Sequence, residues 1–125
     1  MKILCFGSEM IKEDKLALEI ADELGVETVK CTHADDVLKF RDEKEITILD
    51  VAKGIDEVKV IDDLNKLKNK NIISLHDFDL AEMLKIMKEV YNTKVKIIAI
   101  PYGVQKEKAI KEVKKILNAK GLSRA

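Results

Sequence analysis

Three residues of this 125-residue chain have the types and the placement to hold a metal ion: Asp14, Asp50 and His76. Each stands where an apolar run gives way to a helical pattern. Asp14 follows "KILCF" and Gly7 in the stretch "GSEMIKEDKLALEIADEL", Asp50 ends "ITILD", and His76 comes just before "DLAEM". Crossovers in a parallel sheet return such transitions to one edge, and open α/β sheets bind ligands outside the carboxyl ends of their strands. Two carboxylates and an imidazole form a hard-to-borderline O/O/N donor set, suited to a first-row divalent ion such as nickel or zinc and leaving coordination positions open. Singly, each has a plain structural explanation: Asp14 favours the positive end of a helix, Asp50 caps the following loop, and His76 is a solvated residue before a helix. The chemical case rests on their convergence.

Other candidates carry less. "SLHD", Ser74 to Asp77, puts serine, histidine and acid within four residues, but nucleophilic triads are defined by geometry, and the chain has no G-x-S-x-G elbow. Gly7 is followed by Ser8 and Glu9, with neither G-x-G-x-x-G nor G-x-x-x-x-G-K. The acids Glu9, Glu13 and Asp14 would repel a phosphate there rather than cradle it. No catalytic nucleophile is assigned. Cys5 and Cys31 lack C-x-x-C spacing and read as buried, reduced thiols, because nothing indicates an oxidising compartment.

The elements that must position the three residues are legible from periodicity. Ile3 to Phe6, Ile46 to Leu49 and "VKIIAI" before Pro101 are continuous apolar runs, as in strands buried on both faces. Leu16, Ile20 and Leu24 recur every four residues until Gly25, which supplies a left-handed stop. "VETVKC", Val26 to Cys31, alternates as a half-exposed strand, and "ADDVLKF" makes a short helical segment. Val58 and Val60 alternate with charges, as in a lysine-protected edge strand, and "NKLKNKN" is a solvated loop. "DLAEMLKIMKEVY" places Leu80, Met83, Leu84, Met87 and Tyr91 on one stripe, with Asp79 and Glu82 at the spacing of an acidic N-cap pair. "KEKAIKEVKKIL" sets Ile110, Val113 and Leu117 on the face of a terminal helix. Strands alternating with helices imply a three-layer α/β/α sandwich around a mostly parallel sheet, as one domain spanning 1–125.

Composition narrows the partners. Lys plus Arg equals Asp plus Glu at 23 each, so the basic excess that would neutralise phosphates along a nucleic acid is missing. "MKILCF" is too short for a signal-peptide core, and no apolar run approaches the ~20 residues that span a bilayer. The expectation is a soluble cytoplasmic protein without nucleic-acid or membrane partners. Charged residues make up 37% of the chain, a usage found where surface ion-pair networks support heat adaptation.

Over nearly its whole length the sequence resembles the hydrogenase maturation endopeptidases, which trim the C-terminal tail of the nickel-loaded large subunit of [NiFe] hydrogenases. Their first signature, G-N-x-L-x-x-D-[DE]-G after a strand, is matched by "GSEMIKEDK", with Gly7, Ser8, Met10 and Asp14 at the corresponding places. Asp50 in "ITILD" matches the second metal-liganding acid, and His76 in "SLHDFDL" matches the histidine of an S-x-H-x-x-x-L segment. The resemblance implies a five-stranded sheet of order 2-1-3-5-4 with strand 4 antiparallel at the edge, and an extended "NIISLH". It implies that nickel, carried by the large-subunit precursor, is recognised by Asp14, Asp50 and His76, with zinc or cadmium as possible surrogates. Departures mark a divergent member. "KCTHAD" replaces the glycine-rich D-G-G-T-A-G turn and places His33 where the threonine would be, and Lys15 replaces the small residue after Asp14. Two other readings use the same pattern: a phospho-acceptor receiver domain with Asp50 as acceptor, and a metal-binding relative without catalytic activity.

Overall fold

The computed structural model describes residues 2–6, 16–62, 73–74 and 77–119. Within them lie β1 (Lys2–Phe6), α1 (Leu16–Ala21), β2 (Thr28–Cys31), a 3-10 helix (Ala34–Phe40), β3 (Glu45–Lys53), β4 (Lys59–Ile61), β5 (Ile73–Ser74), α2 (Asp77–Glu89), β6 (Lys94–Pro101) and α3 (Lys106–Ala119). The sheet runs β2-β1-β3-β6-β4, and the two-residue β5 pairs with β3 off that path. Without that short strand this is the order 2-1-3-5-4. β1, β2, β3 and β6 are mutually parallel, while β4 lies antiparallel against β6 at the edge.

The apolar runs fill the middle of the sheet, as strands covered on both faces must. β1 lies between β2 and β3, and β3 lies between β1 and β6. Alternation along these strands feeds two cores. On one face Leu4, Phe6, Ile46 and Ile48 pack with Val37 of the 3-10 helix and Leu84 and Met87 of α2. On the other, Ile3, Cys5, Leu49 and Val51 pack with Ile20 of α1 and Val113 and Leu117 of α3. Cys5 and Cys31 are buried free thiols, one in each core.

Several boundaries differ from the periodicity. α1 stops at Ala21 rather than Leu24, because its last turn tightens: the N–H groups of Glu23 and Leu24 donate to the carbonyls of Ile20 and Ala21 at 2.9 and 3.5 Å. Gly25 does take the left-handed conformation, at φ 72°. β2 starts at Thr28, two residues after Val26. α2 begins at Asp77, so Asp79 lies inside the helix rather than at its cap. The same helix ends at Glu89, before Tyr91, because Asn92 turns the chain at φ 56° and the Thr93 N–H closes back on the Met87 carbonyl at 3.0 Å. Tyr91 is therefore 43% exposed, and the apolar stripe ends at Met87.

The largest difference concerns β3. It does not end at Asp50 but continues through Val51, Ala52 and Lys53. β6 accompanies it, pairing Val51 with Ile100 and Ala52 with Pro101, and β5 takes over the other side by pairing Ala52 with Ser74 and Lys53 with Ile73. Proline tolerates this place because the last residue of a strand need not donate to the ladder.

Candidate functional site

Asp50 is the described member of the proposed donor set. Asp14 and His76 lie outside the described residues, so the meeting of the three is a proposal rather than an observed geometry. Asp50 is 3% exposed within a strand whose neighbours are almost all apolar. It alternates with Ile48 and Ala52, which places it on the sheet face covered by α2. A carboxylate taken out of water is retained at low cost only where polar groups or a cation answer it. Asp50 is not an isolated charge.

Its position along the sheet is specific. β1 pairs Lys2 to Cys5 with Ile46 to Leu49 and ends one residue later, at Phe6. Asp50 thus sits at the level where the β1 side of the β3 ladder stops, although β3 itself runs on. From that level two described flanks bracket the other candidates. β1 ends at Phe6, and Leu16, two residues after Asp14 in the sequence, is the first residue of α1. Along β5 the chain passes from the Lys53 level to the Ala52 level, that is, toward Asp50; His76 is the second residue after Ser74 and the last before α2. The sheet extension beyond Asp50 moves that acid inward from a strand terminus to a sheltered position between β6 and the end of β1.

The "KCTHAD" turn departs from a glycine-rich loop in a way the structure explains. The Asp36 carboxylate accepts hydrogen bonds from the backbone N–H groups of His33 and Thr32 at 3.2 and 3.3 Å and an ion pair from Lys39 at 3.3 Å. Partial desolvation pushes the Asp36 carboxyl upward, but these donors together hold it below its ordinary range. A side chain thus fastens the turn at the carboxyl end of β2, where Cys31 pairs with Phe6. Asp36 lies in the first turn of the 3-10 helix, so its carboxylate answers the N–H groups of the chain entering that helix.

The thiols are inert by environment. Burial pushes Cys5 up to about 12, reinforced by Cys31, and pushes Cys31 up to about 11, reinforced by Asp36. Neither provides a nucleophile near neutral pH. Beyond Asp50, at the end of β3, the Lys53 ammonium lies over the ring of Tyr102, 4.8 Å from its centroid. No local sequence pattern signals this pair, because it depends on β3 running three residues past Asp50.

No family model and no curated protein matches the chain. Among solved structures, it superposes on the crystal structure of a [NiFe] hydrogenase maturation protease HycI from Thermococcus kodakarensis KOD1, with a TM-score of 0.63 at 19% sequence identity, covering 94% of this chain and 91% of that one. The chain has the fold of a hydrogenase maturation protease. The order 2-1-3-5-4, the antiparallel edge strand and the α/β layers implied by the sequence resemblance agree with this fold. At this identity the likeness is one of architecture.

Proposed function

We propose that the chain is a divergent hydrogenase maturation endopeptidase that removes a C-terminal peptide from the nickel-loaded large-subunit precursor of a [NiFe] hydrogenase. The observation that carries the reading is Asp50: a sheltered carboxylate at the carboxyl limit of the β1–β3 ladder, in a fold shared with HycI over 94% of this chain. Nickel enters as part of the substrate. Asp14, Asp50 and His76 would offer it two oxygens and a nitrogen, leaving coordination positions to the precursor's own ligands. The ion would then register the cleavage segment against the protease, so that only a loaded precursor is positioned for attack. With the metal supplied without precursor, zinc or cadmium would occupy the same donors. A cytoplasmic site of reaction is part of this proposal and follows from the family resemblance; separately, among the described residues no helix is long and apolar enough to cross a membrane.

The receiver reading fits the sheet poorly. Receiver-type sheets run 2-1-3-4-5, whereas here β6 separates β3 from an antiparallel edge strand. A metal-binding relative without activity remains the contrast that experiment must exclude. Titration calorimetry with nickel alone is expected to show binding by the wild type and its loss in His76→Ala. Equal binding by both proteins would remove His76 from the site. Incubation with nickel-loaded precursor is expected to shorten the precursor, and unchanged precursor beside intact nickel binding would favour the inactive relative.

A further inference from the structure

At the level of Asp50 one row of side chains crosses the sheet face covered by α2. Asp50 pairs with Ala99 of β6, and Ala99 pairs with Lys59 of the edge strand β4. Residues aligned across strands share a face, so Lys59 stands on the face of Asp50. Its strand confirms this by alternation: Ile61, two residues further on, packs with Ala99 in the core on that face. On the β1 side of Asp50 the row continues with Phe6 and Cys31, both buried and apolar. Lys59 is thus the cation of the row, two strand spacings or about 10 Å from Asp50 backbone to backbone. Between them in the row stands only the methyl group of Ala99. Lys59 is half-buried. Among the described residues no carboxylate is ion-paired with it, in contrast to Lys30, Lys39, Lys96 and Lys106. A cation held on the face of a buried acid, with its charge not consumed by a salt bridge, disfavours a bare divalent ion at that acid. The same cation favours an ion that brings negative charge with it.

Resting on the processing reading, we propose that Lys59 is a specificity residue of the nickel site, which selects nickel presented with anionic donors over the free aquo ion. Free nickel at Asp50 meets a further positive charge on the same face. Nickel that arrives in a precursor on deprotonated donors carries less net charge, and the Lys59 ammonium donates a hydrogen bond to one of those donors. The flexible four-carbon stem of lysine supplies the reach across Ala99. Selection acts on binding and takes no part in bond cleavage. It favours metal already held by a substrate over loose metal competing for the same side chains. An inward-facing lysine on an edge strand also blocks edge-to-edge pairing, but that role requires nothing of Asp50 and would leave metal and anion affinities unchanged.

Calorimetry with nickel alone, followed by titration of thiocyanate into the nickel-loaded protein, tests the selection. Thiocyanate is a monoanion that ligates nickel and stands in for an anionic donor of the precursor. Wild type is expected to bind thiocyanate about tenfold more tightly than Lys59→Met or Lys59→Gln, and Lys59→Arg should retain most of the preference. Nickel alone should bind the two neutral variants at least as tightly as wild type. Circular dichroism identifies the folded variants, and the two neutral side chains differ in polarity, so a packing defect in one leaves the other to decide. Equal thiocyanate affinity in wild type and a folded neutral variant, or weaker binding of nickel alone by that variant, overturns the selection while the nickel site stands. Failure of the wild type to bind nickel overturns the site itself, and the selection with it.

Discussion

A single carboxylate separates a structural account of this chain from a functional one. Asp50 occupies a strand position that Ile48 and Ala52 would suggest for an aliphatic residue, and because it is not an isolated charge, taking its charge away leaves the groups that answer it without their partner. Asp50→Asn preserves shape and removes the charge. It is expected to cost about 1–3 kcal/mol of unfolding stability while weakening nickel binding by more than the roughly tenfold loss that follows removal of a merely orienting group. Urea unfolding and nickel calorimetry on the same preparation check both parts; lost stability with unchanged nickel affinity would make Asp50 a packing residue. Asp36 offers a contrasting acid, whose role is local. Because its folded pKa lies below the ordinary 3.8, its contribution is present above the unfolded pKa and is lost as pH falls through the folded one. Asp36→Ala is expected to cost about 1 kcal/mol at pH 7, and the gap between the two proteins should narrow in urea titrations as the pH falls through the acidic range.

At the scale of elements, strand termini and helix ends proved less legible than element identity, for reasons visible at particular residues. Buried strands announce themselves through runs such as Ile3 to Phe6, since both faces must be apolar. β3 escaped its expected boundary because the charge of Asp50 resembles a terminus, whereas Val51 and Ala52 continue the core and find partners in β6 and β5. Those partners are distant in sequence, so no local pattern could reveal the extension. Of the donor set, the residue types and spacing were legible, but the sheltering of Asp50 and the Lys53–Tyr102 pair both depended on that extension. The end of α2 escaped similarly: helical periodicity continues to Tyr91, and the chain reverses at Asn92 through a left-handed residue that asparagine tolerates. Asn92→Gly should leave stability within about 0.5 kcal/mol, and Asn92→Val should lose about 1–2 kcal/mol. Equal effects of the two would show that the left-handed turn does not limit the end of α2.

The molecule as a whole is a sheet with a core on each face, and its two thiols report on those cores separately. Cys5 packs with α1 and α3 on one side, while Cys31 packs on the side of α2 and the 3-10 helix. The sheet itself stands between them, which opposes a disulfide without any appeal to the redox state of the surroundings. With the thiols pushed up to about 12 and about 11, little thiolate exists at pH 8, so modification has to wait for opening of the surrounding structure. The central strands belong to both cores at once, since alternate residues of β1 and β3 serve opposite faces. Loss of one core therefore strips the strands that support the other, and the two should open together. A thiol-reactive chromophore at pH 8 is expected to modify neither cysteine rapidly in the native protein and both with one rate constant across a urea series, tracking global unfolding seen by circular dichroism. Peptide mapping of partly modified protein separates the sites. A Cys31 rate far above that of Cys5 would mean that the α2 face opens on its own, placing local motion on the same face as Asp50.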